Sequence, residues 1–68
     1  MTASRYVHLE FEAILRETEK ALLIRFPGGE EEWIPLSQIA DPEDFHEGDE
    51  EGEISLTEWI VKQKGLEP

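Results

Sequence analysis

"ALLIRFPGGEEEWIP", residues 21–35, decides how this chain folds. Pro27 fixes one φ, while Gly28 and Gly29 are free to take positive φ, as a tight connection between antiparallel strands requires. The preceding "ALLIRF" (21–26) is apolar enough to sit centrally in a sheet. The following "EEEWI" (30–34) reads as the returning strand, with Trp33 and Ile34 on opposite faces. Pro35 cannot donate a ladder hydrogen bond, so that strand ends there or runs along an edge.

Towards the N-terminus, Val7, Leu9, Phe11, Ala13 and Leu15 alternate with His8, Glu10, Glu12, Ile14 and Arg16. This period of two marks a strand with one buried face, the odd-numbered set inward and Ile14 outward. "ETEK" (17–20) is the polar turn that pairs it with 21–26 as a hairpin.

Towards the C-terminus, "LSQIA" (36–40) reads as a short helical turn capped by Ser37, with Ile39 under the sheet. "DPEDFHEGDEEGE" (41–53) holds eight acids in thirteen positions and reads as a loop, with Phe45 anchoring its middle. "EISL" makes a short fourth strand with Ile54 and Leu56 on one face. "SLTEWIVKQKG" carries the signals of a terminal helix over about 57–64. Ser55 stands three residues before Glu58, the spacing of a capping box, and Thr57 is the rival cap. Lys62 and Lys64 suit the last turn and Gly65 the position after it. Leu56, Trp59, Ile60 and Gln63 form the expected stripe, with Trp59 the chief bridge to the sheet and Trp33 half exposed. The sum is one β-rich (α+β) domain over residues 1–68: a small bent antiparallel sheet, or an SH3-like partly open barrel, with one C-terminal helix.

Composition narrows the function. Sixty-eight residues barely make a core that stands alone, and with no cysteine the chain has neither disulfide nor thiolate chemistry. Nothing in "MTASRY" resembles a secretory leader and no apolar run approaches a membrane span, so a cytoplasmic protein is expected. Seventeen acids against six bases give a formal charge of −11, distributed unevenly. Residues 1–26 are balanced, whereas Glu30 to Glu58 contain twelve acids and no Lys or Arg. Such a surface repels nucleic-acid phosphates and anionic lipid, and attracts a basic protein.

The succession "EKALLIRF", "GGEEEWIPLSQI" and "GEISLTEWIVKQKGL" resembles a group of short bacteriophage proteins and phage accessory domains. In that group a hairpin leads into a Trp-Ile-Pro-x-Ser-Gln-Ile segment, and a closing strand precedes a Trp-bearing helix ending Lys-Gly-Leu. The likeness covers residues 20–66. It implies a phage or prophage origin, and its structural motifs carry over no catalytic residue.

An EF-hand fails on spacing, because a loop starting at Glu43 puts Phe45 at position 3 and Ile54 at position 12, where ligands belong; only weak, non-specific divalent binding is left. His8 and His46 form no ligand set with Glu47 that spacing supports, and both read as surface histidines. Paired carboxylates for glycoside hydrolysis need a cavity, and a domain this small is expected to offer little concavity. Neither a P-loop, a nucleophile elbow nor a zincin motif is present, so no enzyme, metal or cofactor is expected. Salt adaptation would acidify the whole surface, yet residues 1–26 are neutral overall. A solvated, solubilising loop is the plainest reading of the charge. The sharper one is an imitation of a phosphate backbone offered to a basic nucleic-acid-handling protein through Glu30, Glu31, Glu32, Asp49, Glu50 and Glu51. The rival is an apolar patch at Trp33, beside Tyr6 or Phe26, docking a partner or a second copy of the chain.

Overall fold

The computed structural model describes residues 5–66; the opening "MTAS", part of the stretch inspected for a leader, lies outside them. Four strands form one antiparallel sheet: β1 (Tyr6–Glu17), β2 (Ala21–Arg25), β3 (Glu31–Pro35) and β4 (Glu50–Thr57), in the order β3-β2-β1-β4. One helix, α1 (Glu58–Lys64), follows. This is the small bent antiparallel sheet with a C-terminal helix expected from the strand pattern.

The bend originates in β1. Its first half pairs with β4, from Tyr6↔Thr57 to Ala13↔Glu50, and its second half pairs with β2, from Ala13↔Arg25 to Glu17↔Leu22. Leu9 and Phe11 are buried in the first half, but in the second half Ile14 is the core residue, with Ala13 and Leu15 only partly covered. Simple alternation, which placed Ile14 outward, is corrected between Phe11 and Ile14, where the ladder with β4 skips from Phe11↔Gly52 to Ala13↔Glu50 and Glu51 takes a left-handed φ of 50°. Just beyond, between Ile14 and Arg16, the register with β2 slips by one residue, a bulge that bends the strand further. On the far side, Ile39 bridges Leu56 and the Ala40 amide donates to the Ser55 carbonyl, so the chain after β3 partly closes the sheet.

Both hairpins form as the turn chemistry requires. Gly28 and Gly29 adopt φ of 97° and 90°, values that strain any residue with a Cβ. In the other turn the Thr18 hydroxyl accepts from the amides of Lys20 and Ala21. β3 lies at the sheet's edge with Pro35 as its last residue, where a missing N–H costs no ladder bond. A 3₁₀ turn (Leu36–Gln38) follows, but Pro35 rather than Ser37 stands at its N-cap and no side chain caps it. Ile39 is buried as expected.

The core joins Leu9, Phe11, Ile14, Leu22, Ile24, Phe26, Ile34, Ile39, Ile54, Leu56, Ile60, Val61 and Leu66. Helix α1 contributes Ile60 and Val61, while Trp59 is 60% exposed, so the expected helix-to-sheet bridge is corrected. The cause is helix phase. Thr57 is the N-cap, accepting from the Ile60 amide, so Leu56 still belongs to β4 and a stripe counted from it runs ahead of the buried face. Ser55 is not the cap. Gly65 takes φ 67° and ends the helix, its amide donating to Lys62 and Val61, and Leu66 folds back into the core.

Candidate functional site

The acidic segment is not one open loop, as its composition implied. Its last four residues, Glu50 to Glu53, are the start of β4. The nine before them are pinned at several points. A 3₁₀ turn covers Pro42–Asp44, and the Phe45 ring meets Phe11 edge-on with centroids 6.0 Å apart. The Gly48 amide donates to the Ile14 carbonyl, and the Ile14 amide donates to the Asp49 carbonyl. Glu17 and Glu47 cap each other reciprocally: each carboxylate accepts from the other's amide, at 3.1 and 3.2 Å. His46 completes this corner, its ring Nδ1 lying 3.4 Å from Glu17 and its amide donating to the Asp49 carboxylate at 2.9 Å. Asp49, singled out for partner binding, is thus engaged in holding the turn.

Of the two acidic triplets singled out in the sequence, Glu31 and Glu32 lie in β3 and Glu50 and Glu51 in β4, at opposite ends of the sheet order, while Glu30 and Asp49 immediately precede those strands. In the Glu30–Glu32 triplet, Glu31 meets Arg25 at 3.2 Å and Glu32 meets Lys64 at 3.6 Å, leaving Glu30 unpaired among the described residues. In the Asp49–Glu51 triplet, no carboxylate reaches a base among the described residues. Glu51 also holds φ 50°, a left-handed backbone that costs a non-glycine residue on the order of 1 kcal/mol.

Three acids that composition did not single out join the second triplet. Glu10 and Glu53 stand directly opposite each other on β1 and β4, and Glu12 follows two positions along β1. Their Cβ atoms at such a pairing lie roughly 5 Å apart, where like charges destabilise a sheet. None is within ion-pair distance of a base among the described residues. Between them Phe11 pairs with Gly52, whose missing side chain leaves room for the ring: a Cβ on Gly52 would stand 2.9 Å from the Phe11 ring carbon Cζ. The signal for Glu10 and Glu12 lay in the alternation of β1, whereas Glu53 required the register.

Two open surface depressions lie beside the β2–β3 turn. A depression of about 500 Å³ is lined by Glu10, Phe11, Glu12, Pro27, Glu51, Gly52 and Glu53. A second, of about 400 Å³, is lined by His8, Leu9, Glu10, Phe26, Pro27, Glu30, Gly65 and Leu66. They share Glu10 and Pro27 and so adjoin at the β2–β3 turn.

The remaining candidates separate cleanly. The Ser55 hydroxyl and His8 Nδ1 are 2.6 Å apart across β4 and β1, but no side chain among the described residues hydrogen-bonds the other ring nitrogen. No three His, Asp or Glu side chains among the described residues converge on a metal position. Trp33 is 45% exposed on edge strand β3, opposite Leu23 on β2. Tyr6 is paired with Thr57 at the other end of the sheet order and Phe26 is buried, so neither flanks Trp33 in an exposed patch. No helix among the described residues is long and apolar enough to cross a membrane. Compared with protein-family models, with curated proteins and with solved structures, the chain matches none.

Proposed function

We propose that this chain is a small non-enzymatic protein-interaction domain of phage origin, acting in the host cytoplasm, whose negative surface engages a basic, nucleic-acid-handling protein. One observation carries the reading: Glu10, Glu12, Glu50, Glu51 and Glu53 sit on paired strands without a base in ion-pair distance among the described residues. Charge held on strands needs little ordering when a partner arrives, unlike charge on a slack loop. Solubility alone does not call for like charges set opposite each other in a ladder, an arrangement that lowers stability. A folded carboxylate array can occupy the positive groove of a nucleic-acid-binding protein without base chemistry, and its attraction falls as salt screens it.

A second reading has its own support. Trp33 and Leu23 expose apolar area across β2 and β3, which suits an accessory or oligomerisation contact, the acids then serving solubility. Salt discriminates. Tagged protein is incubated with nuclease-treated host lysate and eluted in salt steps. A DNA- or RNA-binding protein leaving at moderate salt supports the acidic reading. Recovery of only an apolar partner or the chain itself, persisting at high salt, favours Trp33 and overturns it.

A further inference from the structure

β1 has an open edge. Its ladder with β2 begins only at Ala13↔Arg25, and among the described residues no backbone hydrogen bond of a turn, loop or cap involves residues 6–12. Where β2 turns away through Phe26 and Pro27, the two adjoining depressions open beside that edge. An unpaired strand edge bordering a groove is a template for an added strand. The groove has exposed Pro27 at its wall and the edges of the core residues Leu9, Phe11, Phe26 and Leu66 at its floor, and is rimmed by Glu10, Glu12, Glu30, Glu51 and Glu53, whose carboxylates have no base in ion-pair distance among the described residues.

The carboxylates also have the spacing of an extended ligand. Glu10 and Glu12 stand two residues apart on β1, with Glu53 directly opposite Glu10 on β4. Same-face positions of a strand repeat about every 7 Å, and an extended peptide repeats its own side chains at that interval. A helical ligand, with its 3.6-residue period, does not. Resting on the acidic reading above, we infer that the groove along the Val7–Glu12 edge of β1 binds an extended basic segment of the partner. The segment adds to the sheet as a strand and sets cations at alternate positions against these carboxylates. Alkyl stems of Arg or Lys lie over Pro27 while their heads reach the acids.

The test uses the full chain and a defined probe: a seven-residue peptide alternating arginine with valine, followed by amide chemical shifts and amide exchange. Shifts and new protection confined to residues 7–13, 26–30 and 50–53 are expected. Glu10→Gln with Glu53→Gln, which removes the facing pair that shares one cation, should weaken binding at least about tenfold, while the charge-matched Glu31→Gln with Glu32→Gln changes it less than about twofold. A probe N-methylated at alternate residues keeps its charge but cannot donate to the ladder, and should lose most of its affinity. Equal binding by the N-methylated probe, equal loss in both variants, or no binding of the alternating peptide overturns the inference. If the peptide fails while the lysate experiment still yields a basic protein at moderate salt, the groove assignment falls and the acidic reading stands. Failure of both removes both.

Discussion

Strands β3 and β4 each carry an acidic run, and the two are built differently. On β3, Arg25 and Lys64 neutralise two of the three glutamates locally, and Pro35 and the Glu residues also blunt an exposed sheet edge. On β4 Glu53 faces Glu10 across the ladder, none of the strand's acids has a base in reach among the described residues, and Glu51 holds a left-handed backbone besides. Equal charge in the sequence therefore becomes compensated surface in one strand and a concentrated field in the other. Net charge alone cannot separate the two; register can.

The largest way to break the contrast is steric. Gly52→Val puts a branched side chain where even a Cβ stands 2.9 Å from the Phe11 ring, and should cost about 1–3 kcal/mol in urea unfolding. The loss should centre on β4 and Phe11, with amide exchange rising at 50–53 before it rises in the β2–β3 hairpin. Next comes Thr57→Ala, which removes the helix cap and the bond from Thr57 Oγ1 to the Gln38 side chain. About 1 kcal/mol should go, read as a lower unfolding midpoint with an unchanged m-value.

Two paired substitutions sharpen the comparison. Glu10→Gln with Glu53→Gln should stabilise the domain by a few tenths of a kcal/mol, up to about 1, at low salt, since like charges no longer face each other. Glu31→Gln with Glu32→Gln should be neutral or cost up to about 1 kcal/mol, because each acid has a base. Both differences should shrink as salt rises, and the same sign for the two pairs would show that register does not govern the charge. Smallest of all, Trp59→Ala should change stability by less than about 0.5 kcal/mol, its side chain being mostly in solvent.

What the sequence revealed, and what it withheld, follows the range of the interactions. The Pro27-Gly28-Gly29 turn, edge position of β3, Gly65 helix stop and buried Ile34, Ile54 and Leu56 were legible, because each depends on local backbone chemistry or two-residue alternation. Ile14 was misread because the faces of β1 change between Phe11 and Ile14, where its ladder with β4 is interrupted beside left-handed Glu51, which no single-strand period records. The start of β4 was hidden since Glu50, Glu51 and Gly52 have poor strand propensity, and pairing with β1 overrides it. Trp59 was assigned inward by a stripe counted across the strand-to-helix junction. In the candidate site, Glu50 and Glu51 were visible as charge, but the opposition of Glu53 to Glu10 and the open β1 edge exist only once the sheet is assembled.

The most direct test of the unequal acids is capture from nuclease-treated lysate with three charge-controlled chains: the parent, Glu50→Gln with Glu51→Gln, and Glu31→Gln with Glu32→Gln. Asp49 is left intact because its carboxylate holds the His46 turn. Each variant removes two charges, so a difference between them reflects position rather than net charge. The β4 variant should lose the salt-eluted basic protein while the β3 variant keeps it. Equal loss, or equal retention, would contradict the assignment of the interaction to the uncompensated face.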